Sequence, residues 1–440
     1  MSAETTPGYR DDHLHLLACA AARRSVDVQA ATSVRELLDL IGHAAGGPLG
    51  SAPPQDRHDV AARDRGESRG WLRAWGYDDV LLAERRHPTI VELDAVTVGR
   101  PTVLHHITGH VAVANTAAGR ALGLGAGEVL IERHDVLAGV PRPERAEIVS
   151  GVAAVLGDLA AAGIIACTDA THTNDLDALE LLADAVAAAP AVSVTAMVGA
   201  DRLDSLGGLR FGEVVLSPET AADEVCGASL VPPSGSSVLF AGATADDVGV
   251  RIGHAKVMPP HDDDSAIADL VAEARAHGFP VAIHAMDIDT LQAALDALEA
   301  HPPPPAEADA SKPSAVEPAG PELDRTGPGR TESDRIEHCA LALPEQLDRI
   351  ARLGLTVVTQ PSFVTRRAQK YREQLSPTEQ AWLWPLASLL RRGIRVTLSS
   401  DAPTVPSDPA EWMEAAAFRD LAPAERIDPE RARELCLYDR

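Results

Sequence analysis

The sequence predicts an α/β protein built on a (β/α)8 barrel, with a long insertion after the first strand. Three observations predict it. Short runs rich in Val, Ile and Leu alternate with longer segments of helical period, the pattern of a parallel sheet joined by crossover helices. Eight such runs follow in series, the number a closed barrel takes. Polar residues of metal-ligand type recur near the C-terminal ends of those runs, where a barrel places its chemistry. Periodicity alone leaves an open doubly wound sheet as the alternative.

The first strand is "YRDDHLHL" (9–16). Residues 20–162 then separate the first two strands, which is too long for one crossover helix. The expected organisation is therefore a first strand within 1–19, an inserted subdomain and its connection over 20–162, and the rest of the barrel over 163–440. The remaining strands are "GIIACTD" (163–169), "VSVTAMV" (192–198), "VRIGHAKVM" (250–258), "PVAIHAM" (280–286), "RIEHCA" (335–340), "LTVVTQP" (355–361) and "IRVTLSSD" (394–401). Segments such as "SAIADLVAEARAHG", "DTLQAALDALEA" and "LPEQLDRIARLG" between them have helical period. Residues 301–333 are rich in Pro, Ala and Glu without periodicity, and are expected to form a disordered surface loop.

Composition narrows the class. Of 440 residues, 45% are hydrophobic and only 3% aromatic, so Ala, Val and Leu must fill the core. The formal net charge of −26 argues against nucleic acid or an anionic membrane as partner and leaves a small-molecule substrate. Five cysteines, an odd number without CxxC spacing, fit a reducing cytoplasm better than a disulfide scaffold. "MSAETTPGYRDDH" has no basic region followed by an apolar one, so no signal peptide is expected. The most apolar stretch, Ile148 to Cys167, carries Asp158 and three glycines and reads as a helix entering a buried strand.

The motifs carry the functional signal. In a strand, His13 and His15 would share one face, and two neutral imidazoles side by side suit zinc. An isolated pair of this kind is more often a surface strand of alternating polarity. Partners change that balance: Lys256 lies near the end of the fourth strand, His284 of the fifth and His338 of the sixth, and Asp401 closes the eighth. His110, in "ITGHVAVAN" of the insertion, and His172, after the second strand, are weaker candidates for substrate contact. "GESRG" (66–70) matches a nucleophile elbow, but polar "AARDR" precedes it where a buried strand is required. "GLGAG" (123–127) reads as a turn.

The ordered set "TPGYRDDHLHL", "AKVM", "VAIHAM", "RIEHCALALPEQLDRIARLGLTVVTQPS" and "GIRVTLSSDAPTVPSDP" resembles the amidohydrolase superfamily, in its amidohydrolase 3 (YtcJ-like) branch, which includes N-substituted formamide deformylases. "WLRAWGYDDVLLAERRHPTIVELDAV" and "GHVAVANTAA" resemble the insertion of that branch. The resemblance covers nearly the whole chain. It implies two divalent metal ions, zinc by preference, at the barrel mouth. His13 and His15 would bind the more buried ion, and His284 and His338 the second. Lys256, carboxylated by CO2, would bridge them, and Asp401 would touch the first ion and serve as general base and acid. A water shared by two metals loses a proton near neutral pH and becomes the nucleophile.

The resemblance also has gaps. The branch usually carries a small β-sandwich built from both chain ends, and both halves look absent here. That leads to the expectation of a homo-oligomer covering apolar surface. "VMPPHDDD" and "MDID" replace the usual loops after the bridging lysine and the fifth-strand histidine, which bears on substrate choice. The function expected is hydrolysis of a C–N bond in an amide or cyclic amide-like small molecule. The alternatives are a mononuclear deaminase-like hydrolase with a structural Lys256, and a catalytically inactive barrel that binds a ligand or partner.

Overall fold

The computed structural model describes residues 8–46, 70–131, 133–217, 249–259, 263–303 and 333–438. Residues 304–332 of the expected surface loop and 66–69 of "GESRG" lie outside the described residues. The chain divides into two units, one of residues 1–14, 156–401 and 407–440, the other of residues 15–155 with 402–406.

Along the chain, β1 (Tyr9–Leu14) opens the first unit. The second unit supplies β2 (Val26–Asp27), β3 (Leu72–Tyr77), β4 (Thr102–His106), β5 (Val111–Ala114) and β6 (Glu128–Ile131). The first unit resumes with β7 (Ile164–Asp169), β8 (Ser193–Gly199), β9 (Val214–Leu216), β10 (Gly249–Val257), β11 (Val281–Ala285), β12 (Arg335–His338), β13 (Thr356–Thr359) and β14 (Arg395–Leu398).

In the first unit the ladder runs β1-β7-β8-β10-β11-β12-β13-β14, every pairing parallel, with β9 antiparallel on β10. These are the eight expected strands in sequence order, nearly closed into a barrel. Closure between β14 and β1 comes from single bonds rather than a ladder. At the C-terminal mouth the Asp401 amide donates to the His13 carbonyl at 2.7 Å. Lower down, the last residues fill the seam, where Leu398 donates to Leu435 and Arg10 to Cys436. The longer helices pack on the outside through an apolar stripe. In Leu176–Ala188, Leu179, Leu182, Ala183 and Val186 are buried, and Asp175 caps the first turn by accepting from the Ala178 amide.

The second unit has a five-stranded sheet of order β2-β3-β4-β5-β6, parallel over β2–β4 and antiparallel over β4–β6. Alternation along β4 sends Leu104 into a cluster with Leu37, Ile41, Leu72 and Leu93, and Val103 to the other face with Ala112, Ala114 and Leu130. Among the described residues, no helix is long and apolar enough to cross a membrane.

Two details correct the strands read from sequence. β1 ends at Leu14, so His15 stands past the strand, as the N-cap residue of helix Leu16–Arg23. β14 ends at Leu398, so Asp401 lies three residues beyond it rather than on its last position. The "GLGAG" segment forms turns and bends, as expected.

Candidate metal centre

The strand ends bring five of the six expected ligands of the barrel unit together by cross-barrel contact. β1 and β12 are not neighbours in the ladder, yet His13 Nδ1 pairs with Glu337 on β12. The His13 and His338 rings stand 4.7 Å apart, and those of His338 and His284 4.6 Å. His13 Nε2 faces Asp401 Oδ1 at 3.6 Å. Lys256 is close enough that its charge depresses the basicity of His13, His284 and His338.

The orientation of each imidazole has a cause. Glu337 occupies His13 Nδ1, which fixes the proton there and leaves the Nε2 lone pair directed at Asp401. Glu337 is itself fully buried and held by Arg335, whose Nε donates to Oε1 at 2.8 Å and whose Nη2 donates to the Asp12 carbonyl at 2.9 Å. Burial opposes ionisation of Glu337, but Arg335 beside it keeps its pKa well below the carboxylate range. On the facing side, His338 Nδ1 donates to Gln360 Oε1 at 2.8 Å, and Gln360 Nε2 donates to Ser399 Oγ at 3.0 Å. His338 therefore also presents Nε2.

Burial pushes the His13 pKa down to about 3, and lowers those of His284 and His338 as well. Neutral imidazoles are the form that binds a metal. The Lys256 amine is 2% exposed, and burial pushes its pKa down to about 8, against the pull of Glu337 and Asp401. Lys256 Nζ and His284 Nδ1 are buried and make no hydrogen bond among the described residues. Buried polar atoms without a partner are rare. Two of them beside three neutral imidazoles and a carboxylate form a donor set that fits divalent metal, with Lys256 placed to become an anion between ions.

The backbone turns sharply where these groups sit. His338 has φ 68°, Cys339 φ 49° and Asp401 φ 64°, left-handed conformations that cost non-glycine residues about 1–3 kcal/mol each. Below Asp401, fully buried Asp11 accepts from Ser400 Oγ at 2.6 Å, the Ser400 amide at 3.0 Å and Ser407 Oγ at 2.9 Å. That network holds the strand-end turn carrying Asp401 against β1.

His172 is half-buried in the loop after β7, its carbonyl against Gly199 at the end of β8. His110 is exposed in the turn between β4 and β5 of the second unit. The supporting residues Glu337, Arg335, Gln360 and Asp11 escaped the reading of the sequence. Their one signal was position, Glu337 directly before His338 and Gln360 near the end of the seventh apolar run.

Comparison with known proteins identifies the family. The sequence profile of the amidohydrolase family matches residues 4–436. The N-substituted formamide deformylase of Arthrobacter pascens is 25% identical over 97% of this chain and 76% of its own length. Crystal structures of uncharacterized metal-dependent hydrolases from Pyrococcus furiosus and Pyrococcus horikoshii share the fold, each with a TM-score of 0.61 and 20% identity over 98% of this chain, covering 80% and 77% of theirs. With a profile matched from one end of the described barrel to the other, the chain belongs to the amidohydrolase family and is a hydrolase.

Proposed function

We propose that the chain uses two divalent metal ions, zinc by donor chemistry, to hydrolyse a C–N bond in an amide or cyclic amide-like small molecule. The observation that carries this reading is the buried, unpaired amine of Lys256 among neutral His13, His284 and His338 and the Asp401 carboxylate. His13, His15 and Asp401 would hold one ion, and His284 and His338 the other. Bound metals supply an acidified water and an electrophile for the substrate carbonyl.

The chain's own residues do the rest. An amine whose pKa has fallen to about 8 is partly neutral at physiological pH. Its lone pair can bond to the carbon of CO2 with loss of one proton to solvent, leaving a carbamate anion. Glu337 and Gln360 hold His13 and His338 in the tautomer that turns Nε2 inward. Asp401, with its carboxylate partly open to solvent, accepts a proton from the attacking water and returns it to the departing nitrogen. His172 and His110 stay as candidate substrate contacts.

A mononuclear reading has one observation in its favour, His13 Nε2 and Asp401 Oδ1 standing 3.6 Å apart, close enough to share a single ion. Elemental analysis of protein purified without chelator in bicarbonate buffer decides between them. Content that falls by two equivalents on removing the barrel ligands in His13→Ala/His284→Ala, and by at least one in Lys256→Ala, supports the bridged site. A fall of one in the double variant, with none in Lys256→Ala, supports the mononuclear site. Activity is measured on a panel of N-substituted formamides and cyclic amides, and no turnover of any C–N substrate by the metal-loaded chain rejects the proposal.

A further inference from the structure

The second unit gathers a metal-type donor set of its own. β3 ends at Tyr77 and leads directly into Asp78 and Asp79, while its parallel neighbour β4 ends at His106, which pairs with Tyr77 in register. The C-terminal ends of adjacent parallel strands are where such sheets hold ligands. Ligand atoms of Asp78, Asp79 and His106 lie within 4.8 Å of one another.

The imidazole supplies the second observation. His106 is 5% exposed, and its Nε2 lies 3.2 Å from Asp79 Oδ1 and 3.7 Å from Asp78 Oδ1. Nε2 makes no hydrogen bond to either oxygen or to any other atom among the described residues. The ring is nonetheless firmly placed. Its Nδ1 is 2.8 Å from the Thr108 hydroxyl and 3.2 Å from the Thr108 amide, and Tyr77 meets it edge-on with centroids 5.1 Å apart. Asp78 is buried too, and Oδ1 accepts from the Val80 amide at 3.1 Å. A positioned nitrogen aimed between two carboxylates without bonding either is the arrangement a cation completes.

We propose that Asp78, Asp79 and His106 bind a divalent transition-metal ion of the zinc type. One imidazole nitrogen and two carboxylate oxygens are ligands zinc accepts, and two carboxylates balance its charge. In the metal-free ring the Thr108 amide donates to Nδ1; an ion bound at Nε2 displaces the proton to Nδ1, where the Thr108 hydroxyl can accept it. Bound there, the ion clips the ends of β3 and β4 together. The site is independent of the barrel's metal chemistry and stands or falls separately from it.

The test uses the full chain, stripped with a chelator and titrated with Zn2+ against a competing indicator. Asp79→Asn, altered at a partly exposed and nearly isosteric position, is expected to bind one equivalent fewer than wild type while melting like it in the metal-free state. Lys256→Ala, altered in the barrel, is expected to retain that equivalent. Wild-type crystals soaked in ZnCl2 are expected to show an anomalous peak at the zinc edge among the three side chains, which decides the matter even if a variant fails to fold. An Asp79→Asn chain with undiminished equivalents, or saturated wild-type crystals without that peak, overturns the site. So does nitrogen NMR showing that His106 keeps its Nε2 proton in zinc-saturated protein, which would make the trio an ordinary imidazole–carboxylate contact.

Discussion

His13 shows how one imidazole is oriented by residues buried behind it. Its Nδ1 is taken by Glu337, and Glu337 is kept anionic by Arg335. Glu337→Gln should therefore weaken metal binding by roughly 10–100-fold, the usual effect of losing a partner behind a metal-binding histidine, and activity should fall in parallel. Competition with a chelating indicator reads the affinity, and unchanged affinity in a folded variant would remove the orienting role. Asp11 gives a pH prediction. Burial raises its pKa from 3.8 to about 7 despite hydrogen bonds from Ser400 and Ser407. The folded state thus holds the proton more tightly than the unfolded chain. The stability this contributes is complete below pH 3.8 and is lost as pH rises toward 7. In metal-free protein, Asp11→Asn should gain on wild type between pH 4.5 and 8, as judged by denaturation midpoints. A constant difference across that range would show that Asp11 titrates normally. Neither residue was legible as functional in the sequence. The candidate ligands stand out by type and by strand-end position, whereas Glu337 reaches His13 across 324 residues of chain and only barrel closure joins them.

At the scale of elements, hydrophobic periodicity located all eight barrel strands and misjudged their ends. β1 and β14 stop before His15 and Asp401 because the backbone leaves the ladder there, with Asp401 in a left-handed conformation. Side-chain periodicity carries no trace of that change. β2 has only two residues, and β4, β5 and β6 pair antiparallel, so the strand–helix alternation that marks the parallel barrel is lost there and the insertion read only as a region. Close approach between elements was equally hidden. A Cβ on Gly199, at the end of β8, would come within 2.1 Å of the His172 carbonyl oxygen and 2.7 Å of Asp201 Oδ1. Backbone cannot yield as a flexible side chain does, so Gly199→Ala must displace the loop that follows β7. Overpacking of this kind costs about 1–3 kcal/mol. Calorimetry should show a lowered midpoint, and if His172 contacts substrate, KM should rise more than kcat falls. An unchanged midpoint would mean the loop adapts freely.

For the whole molecule, charge and metal act on stability in different concentration ranges, which makes the metal separable. A net charge of −26 makes the folded chain repel itself, so any salt should stabilise it by screening. Screening over about 10 Å requires roughly 0.1 M ionic strength. A metal that binds the native site acts by mass action instead. It contributes about 2.7 kcal/mol once free metal reaches a hundredfold excess over Kd, and about 1.4 kcal/mol more for each further tenfold. Chelated protein titrated with ZnCl2 at a fixed NaCl background should therefore melt several degrees higher at micromolar metal, while CaCl2 at the same concentration should do little, because imidazole nitrogens suit zinc and not calcium. Raising NaCl afterwards should add a second, broader increase. Lys256→Ala should lose most of the zinc-dependent rise and keep the salt-dependent one, because it removes an anchor of the metal centre but changes the net charge by one in twenty-six. A wild-type midpoint indifferent to chelation and to zinc, with a normal response to NaCl, would mean that the buried imidazoles and the unpaired lysine are stable without an ion, and the metal-dependent reading of this barrel would fall with them.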